Sequence, residues 1–330
     1  MNQIWSRTKH YLHWVMLGGM LFFFTKALRH HWEEVAAIRV DGTGWFCLAI
    51  GITASLLAFV WSGLVWGWTL QEFKYRLNFP WLVKVYLKTH IAKYLPGHVW
   101  HYYGRIWSAK QAGVSVNIAT LSVVIEPFLM ISAALSTAII TSQLSGTGSQ
   151  NTYNCGLLAV GLVTVLMIVH PRFLNPLLQL LAKLKGKKKG CPLVQDSAFK
   201  LQRYPVKLLL GELGFVALRG AGFLLTFMAL HPVSPSQIPM LINTFSLAWL
   251  AALVLPGAPG GVGVFEATAI ALLDRSYSTG LVLSVVAVFR LVTILAEAIG
   301  AGLSYLDDRR FSHKYNLDNT ATAAELVRID

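Results

Sequence analysis

The sequence contains few charged residues and few cysteines for its length. Only 13% of its 330 residues are charged, which is roughly half the share found in a soluble globular domain. Its cysteines, Cys47, Cys155 and Cys191, lack the spacing of a zinc site or a disulfide framework. No Gly-rich phosphate loop or Ser/His/Asp nucleophile motif is present, and no polar stretch is long enough for a separate catalytic domain. These absences argue against a soluble enzyme, a cofactor and a resident metal ion.

Apolar residues dominate instead. The chain is 55% hydrophobic, contains 11 Trp and has a mean hydropathy of +0.55, more than a soluble core of this size requires. We therefore expect an all-α polytopic integral membrane protein, with one transmembrane domain over residues 1–310 and a short cytoplasmic tail over 311–330. The predicted spans, each near the roughly 20 residues that cross a bilayer, are Tyr11 to Leu28, Trp45 to Trp68, Ile118 to Thr141, Asn154 to His170, Val206 to Leu230 and Leu281 to Leu306.

Two further apolar blocks, residues 80–113 and 240–275, are interrupted by helix-breaking residues. The breaks are Pro96-Gly97 in the first block and Pro256-Gly257, followed by Gly260-Gly261, in the second. Such breaks at membrane depth are typical of re-entrant hairpins. Paired breaks in two halves of a membrane protein also point to a transport site within an inverted repeat.

The distribution of Lys and Arg predicts the orientation. The loop over residues 171–205 is strongly basic, whereas residues 142–153 and 231–237 contain no Lys or Arg, so we expect this loop to be cytoplasmic. Six crossings then place both termini in the cytoplasm of a plasma-membrane (inner-membrane) protein, and the two hairpins open to opposite faces. Lys187, Lys188 and Lys189 are expected to contact anionic lipid headgroups. The net charge of +13 reflects this bias, and a nucleic-acid partner has little support.

Four ionisable residues lie inside two predicted spans, where a charge is costly unless it has a partner or water. Glu212 and Arg219 lie in one span, and Arg290 and Glu297 lie in another that runs the opposite way. Both arginines should therefore lie near the midplane, with both glutamates about 10 Å nearer the cytoplasm. Two interpretations remain open: salt bridges between helices, or a polar cavity whose arginines attract an anionic headgroup.

Two more glutamates accompany backbone breaks. Glu126 precedes Pro127 within a span, where a kink would free a backbone carbonyl. Its expected role is a counter-ion, a protonatable group or a local hydrogen-bond partner. Glu266 follows the glycines of the second block, where it would either cap the next helix or line the cavity.

The first break is followed by His98, His101 and Arg105, which a helix would place on one face. Two histidines without a nearby carboxylate or thiol make a weak metal-ligand set. We expect this segment to bind a lipid headgroup or to anchor itself at the membrane interface through its aromatic residues. If the break exposes backbone amides at a helix start, those amides and Arg105 would form a phosphate-sized anion site.

Two segments of the chain resemble a known family. These are Lys93-Tyr94-Leu95-Pro96-Gly97-His98-Val99-Trp100, continuing to Arg105 and Glu126, and Leu255-Pro256-Gly257-Ala258-Pro259-Gly260-Gly261-Val262-Gly263-Val264-Phe265-Glu266. They resemble the membrane domain of the lysylphosphatidylglycerol synthase/flippase family and its stand-alone flippase-like relatives, over about residues 10–306. The resemblance implies movement of an anionic or aminoacylated lipid between leaflets. The sequence shows no counterpart of the synthase's aminoacyl-transferring domain, so we expect no lipid aminoacylation by this chain.

The resulting prediction is a lipid flippase, or a transporter of a lipid-linked intermediate, that binds membrane phospholipids. The arginines at positions 105, 219 and 290 would hold the phosphate, and the glutamates at 126, 212, 266 and 297 would balance charge. Two alternatives remain: a membrane-embedded enzyme that uses His98 and His101, or an accessory subunit of a soluble lipid-modifying enzyme. A homodimer is also left open.

Overall fold

The structure of the protein, a computed structural model, describes residues 40–94, 99–144, 150–169, 205–255 and 263–326, together with Arg172 and Gly261. These residues contain no strand. Two short 3₁₀ turns, Ile91–Tyr94 and Pro235–Gln237, accompany the α-helices. The helices are α1 Gly42–Glu72, α2 Phe79–His90, α3 Trp100–Gln111, α4 Val116–Leu144, α5 Gln150–Val169, α6 Val206–Leu230, α7 Ile238–Val254, α8 Val264–Leu273 and α9 Thr279–Leu326.

Within the described residues, five segments are long and apolar enough to cross a membrane: Gly42–Glu72, Val116–Leu144, Val206–Leu230, Pro235–Val254 and Thr279–Asp307. Four of them contain predicted spans, which confirms the prediction of an all-α polytopic membrane protein. The helix expected over Asn154 to His170 is α5, whose apolar stretch Gly156–Met167 is shorter. The span predicted for Tyr11 to Leu28 and most of the basic loop, including Lys187, Lys188 and Lys189, lie outside the described residues.

Helices α1 and α6 form the most extensive helix–helix contact. Glycines on α6 allow this approach, because a Cβ on Gly211 would lie 2.7 Å from the Val65 side chain and one on Gly222 would lie 2.9 Å from Ser55 Oγ. Small residues at helix contacts are how membrane helices pack closely. The backbone carbonyl of Gly211 also accepts a hydrogen bond of 2.7 Å from Trp61 Nε1.

Each interrupted block consists of two helices in contact with each other. In the first block, α2 and α3 have 12 residues each, which is about 18 Å and less than the roughly 30 Å of a hydrocarbon core. In the second, α7 has 17 residues and α8 has 10. The Pro235–Gln237 turn extends α7 to a 20-residue apolar segment. The two helices of the second block therefore differ in length more than those of the first block.

The described part of the second break requires glycine. Gly261 and Gly263 have φ angles of +66° and +85°, in the region that residues with a Cβ rarely adopt. A Cβ on Gly261 would also lie 2.5 Å from Ala252 Cβ on α7. Gly261 lies between the end of α7 and the start of α8, whereas Pro96, Gly97, Pro256, Gly257 and Gly260 lie outside the described residues.

An aromatic core packs between the four helices α6, α7, α8 and α9. The rings of Phe223, Phe245, Phe265 and Phe289 pack mainly edge to face, with centroids 5.4 to 6.2 Å apart. Such contacts order the helices more strongly than aliphatic packing alone.

Candidate functional site

Eight Lys, Arg and Glu side chains of the described residues lie in the interior of the helical bundle. Six of them are at most 7% exposed, and the side chains of Lys93 and Arg290 are 19% and 25% exposed. They come from five helices and one 3₁₀ turn, and they are Lys93, Arg105, Glu126, Glu212, Arg219, Glu266, Arg290 and Glu297. Four are basic and four acidic, so their formal charges cancel over the whole set.

The first group, which we call the Glu126 cluster, contains Tyr86, Arg105, Glu126 and Glu212. Arg105 forms an ion pair with Glu126 Oε2, and Tyr86 donates a hydrogen bond of 2.9 Å to Glu126 Oε1. The Arg105 guanidinium also lies 4.6 Å from the Tyr86 ring centroid and 5.4 Å from that of Tyr102. Both oxygens of Glu126 are thus occupied, and the cation is enclosed by ring faces that stabilise it.

Glu212 is the exception within the Glu126 cluster. It is 1% exposed and interacts electrostatically with Glu126 and Arg105. Its Oε2 atom has no hydrogen-bond partner among the described residues. An unpartnered carboxylate oxygen in so apolar an environment is costly if the group is charged.

The second group, the Glu297 cluster, contains His90, Lys93 and Glu297. Lys93 forms an ion pair with Glu297, while His90 Nε2 lies 3.2 Å from Lys93 Nζ and 3.7 Å from Glu297 Oε1. The His90 ring stacks on Tyr86 with centroids 5.4 Å apart. Tyr86 therefore links the Glu297 cluster to the Glu126 cluster.

The third group, the Glu266 cluster, contains Gly261, Gly263, Glu266 and Arg290. Glu266 accepts a hydrogen bond from the backbone N–H of Gly263, which caps the start of α8, and also pairs with Arg290. Arg290 Nη2 donates a hydrogen bond of 3.2 Å to the Gly261 carbonyl. Glu266 thus caps the helix, which is one of its two predicted roles, and it also pairs with Arg290.

Arg219 lies between these clusters without an ion pair to any described carboxylate. Its Nη1 atom donates hydrogen bonds to Ser55 Oγ at 3.3 Å and to Thr293 Oγ1 at 3.1 Å. Its guanidinium carbon lies 5.3 Å and 4.7 Å from the ring centroids of Phe59 and Phe289. A buried guanidinium held by neutral hydroxyls and ring faces retains a positive charge that an anion can neutralise.

The arrangement answers part of the question left open by the sequence. Of the four residues concerned, Arg290 and Glu297 form salt bridges to other elements, with Glu266 and Lys93, whereas Glu212 and Arg219 form none with a described residue. His101 is buried and its ring centroid lies 3.8 Å from that of Tyr102. In the described part of the chain, no group of three His, Cys, Asp or Glu side chains could hold a metal ion. His98 lies outside it.

Several members of the network were not predicted as site residues. They are Ser55, Phe59, Tyr86, His90, Lys93, Phe289 and Thr293. The sequence could have indicated Lys93 as a site residue, because it is a charged residue in an apolar block directly before the Pro96-Gly97 break. The sequence does not distinguish the hydroxyl and aromatic residues of the network, since such side chains are common in any membrane helix.

A comparison with family models decides the relationship. Residues 14–300 match the model described as the lysylphosphatidylglycerol synthase TM region. The chain belongs to this family. A search of curated proteins found no match. Membership in the lysylphosphatidylglycerol synthase TM family identifies the chain as a membrane protein related to lipid modification or flipping. The match includes all three clusters and Arg219.

Proposed function

We propose that the protein moves an anionic or aminoacylated phospholipid, or an anionic lipid-linked intermediate, between the two leaflets of the membrane. The observation that carries the proposal is the Arg219 guanidinium, which is buried without a carboxylate partner among the described residues. A lipid phosphate would supply the missing negative charge. The planar guanidinium fork is well suited to phosphate oxygens.

The hydrogen-bond geometry of Arg219 favours this role. Among the described residues, its hydrogen-bond acceptors contact Nη1 alone. The Nε and Nη2 donors therefore remain to bind two phosphate oxygens. The flanking Phe59 and Phe289 rings would stabilise the cation while no lipid is bound.

The paired basic groups would act on either side of Arg219. Lys93 and Arg290 are the least buried members of the network, and each is held by a glutamate. As a headgroup passed through, its phosphate would replace the glutamate carboxylate as the partner of each cation. The acyl chains of the lipid would stay in the bilayer. Arg105 would contribute in the same way. After the headgroup had left, each of these cations would form its ion pair with Glu126, Glu266 or Glu297 again.

The proposal includes a membrane topology. The α2–α3 pair and the α7–α8 pair would be re-entrant hairpins that open to opposite faces, with both termini in the cytoplasm of a plasma-membrane protein. The support is the 12-residue length of α2 and α3, the glycine-dependent break before α8 and the basic loop over residues 171–205. We assign no chemical step to this chain.

The test is lipid translocation by purified protein in liposomes. Fluorescent phosphatidylglycerol in the inner leaflet is protected from a membrane-impermeant quencher, so flipping appears as additional quenching. Arg219→Gln should reduce the rate at least tenfold, because it removes the charge, and Arg219→Lys should retain more activity, because it loses only the planar fork. Arg275→Gln, an exposed arginine between α8 and α9, is the matched control and should behave as wild type.

The outcomes separate the function from its rivals. Wild-type rates in Arg219→Gln would remove Arg219 from the lipid path. No translocation of several anionic lipids by the wild-type protein would overturn the transport proposal. Chemical turnover of a lipid by the purified protein would then favour a membrane-embedded enzyme, and co-purification of a soluble synthase would favour an accessory subunit.

A further inference from the structure

The buried charges cancel over the whole network but not within each group. The Glu297 and Glu266 clusters each contain one Lys or Arg side chain and one carboxylate in an ion pair. The Glu126 cluster contains two carboxylates and one guanidinium. It therefore has a formal charge of −1 if both acids are ionised, and the opposite surplus is at Arg219.

The surplus carboxylate in the Glu126 cluster is Glu212. Both oxygens of Glu126 are already engaged by Arg105 and Tyr86, whereas Glu212 Oε2 has no hydrogen-bond partner among the described residues. Glu212 is also more deeply buried than Glu126, at 1% against 6% exposure. The carboxylate that lacks a compensating cation is thus Glu212.

Few other ionisable groups surround Glu212. The groups that interact with it are Glu126 from α4, Arg105 from α3 and Tyr86 from α2. Helix α1, its most extensive neighbour, contacts α6 at this level through Trp61 and Val65, which do not ionise. Helix α7 contains no ionisable residue, and α9 directs its Glu297 carboxylate to Lys93. The remaining cations among the described neighbours are Arg290 of α9, which pairs with Glu266, and two residues of α6 itself. Of these two, Lys207 is exposed and lies 4.6 Å from the Trp68 ring centroid, which leaves Arg219.

We propose that Glu212 is a proton-binding site and that proton binding there is coupled to anion binding at Arg219. A buried carboxylate without a countercharge is neutralised by a proton rather than left ionised. The bound proton also makes Glu212 a donor. The adjacent Glu126 and Arg105 keep their ion pair, because the proton removes the competing carboxylate charge.

The coupling follows from the position of the two groups on one helix. Glu212 and Arg219 are seven residues apart on α6, about 10 Å along the axis and on the same face. While Arg219 is free, its positive charge favours ionised Glu212. An anion at Arg219 cancels that effect, so proton affinity at Glu212 should rise on the order of tenfold at an effective dielectric constant of about 20.

The inference rests on the proposed function in one respect, since the anion at Arg219 is taken to be a lipid headgroup. Under that assumption a lipid anion and a proton move together. A proton gradient would then set the direction of lipid movement without ATP. The same coupling can be measured as binding, without any transport.

Infrared difference spectroscopy tests the proton site directly. Protein in phosphatidylcholine nanodiscs should show the carbonyl stretch of a protonated carboxyl group at neutral pH, and the band should disappear on alkaline titration. Glu212→Gln should remove this band, whereas Glu72→Gln, at the exposed end of α1, should leave it unchanged. Absence of the band in wild-type protein overturns the proposal without reliance on any variant.

A second measurement tests the coupling. The alkaline titration of the band should move upward by about one pH unit when phosphatidylglycerol replaces part of the phosphatidylcholine, which corresponds to the tenfold change above. In Arg219→Gln the band should already persist to higher pH, and phosphatidylglycerol should add nothing. A shift of equal size in this variant would trace the effect to membrane surface charge and overturn the coupling.

The two proposals fail differently. If the band and its lipid-dependent shift are present but the wild-type protein does not move lipids in liposomes, the proton site stands and the transport function fails. If lipids move but the band is absent, or if lipid movement requires sodium rather than protons, the proton site fails and the transport function stands.

Discussion

Replacing Arg105 with Met should destabilise the folded protein by about 3–5 kcal/mol, the cost of removing one partner from a buried ion pair. The estimate follows from the burial of both partners, since Arg105 is 2% and Glu126 is 6% exposed. The variant also loses the guanidinium contacts with the Tyr86 and Tyr102 rings. The Glu126 carboxylate retains only the hydrogen bond from Tyr86 and faces Glu212 without a shared cation.

Thermal unfolding in detergent, followed by tryptophan fluorescence, measures the effect. A loss of 3–5 kcal/mol corresponds to a decrease in apparent Tm of about 6–10 °C for a chain of this size. The control is Lys84→Met, which breaks the ion pair with Asp307 at 26% and 43% side-chain exposure. Because exposed pairs contribute about 0–1 kcal/mol, this control should lower the Tm by no more than about 2 °C.

A double variant isolates the pair itself. Arg105→Met combined with Glu126→Gln removes both charges, so its cost should be at least about 1 kcal/mol smaller than the sum of the single variants. Purely additive costs, or equal effects of Arg105→Met and Lys84→Met, would refute the conclusion that Arg105 and Glu126 form a mutually dependent buried pair.

Two further results would test the fold. Single cysteines replacing Asn78 and Gln111, at the outer ends of α2 and α3, should both react with an impermeant thiol reagent from the same side of the membrane; labelling from opposite sides would exclude a re-entrant first hairpin. Gly261→Ala should cost about 1–3 kcal/mol, because a Cβ would meet Ala252 at 2.5 Å and the φ angle is +66°. Gly302→Ala, whose Cβ would meet nothing within 4 Å, should be neutral or stabilising by up to about 1 kcal/mol, and equal Tm values for the two variants would contradict this account.

The sequence predicted the membrane-spanning helices because the information is local. Each of the spans predicted from Trp45, Ile118, Val206 and Leu281 lies within a helix of the structure, since hydropathy over some 20 consecutive residues decides insertion. The second helix break was also local, because the interruption between α7 and α8 coincides with a run rich in proline and glycine. The buried ionisable residues Arg105, Glu126, Arg219 and Glu297 were recognisable for the same reason, because a charge within an apolar run is conspicuous.

Only the tertiary structure determined which charges meet. The partners Lys93 and Glu297 are 204 residues apart in sequence, and nothing in either segment specifies the other. Their contact depends on how α2 and α9 are rotated and packed, and that packing is set by glycine contacts and aromatic rings distributed over the chain. For the same reason, the sequence could not show that Arg290 forms an ion pair with a carboxylate while Arg219 forms none with any described residue. Pairing is a property of three-dimensional proximity, which hydropathy and spacing along one helix do not encode.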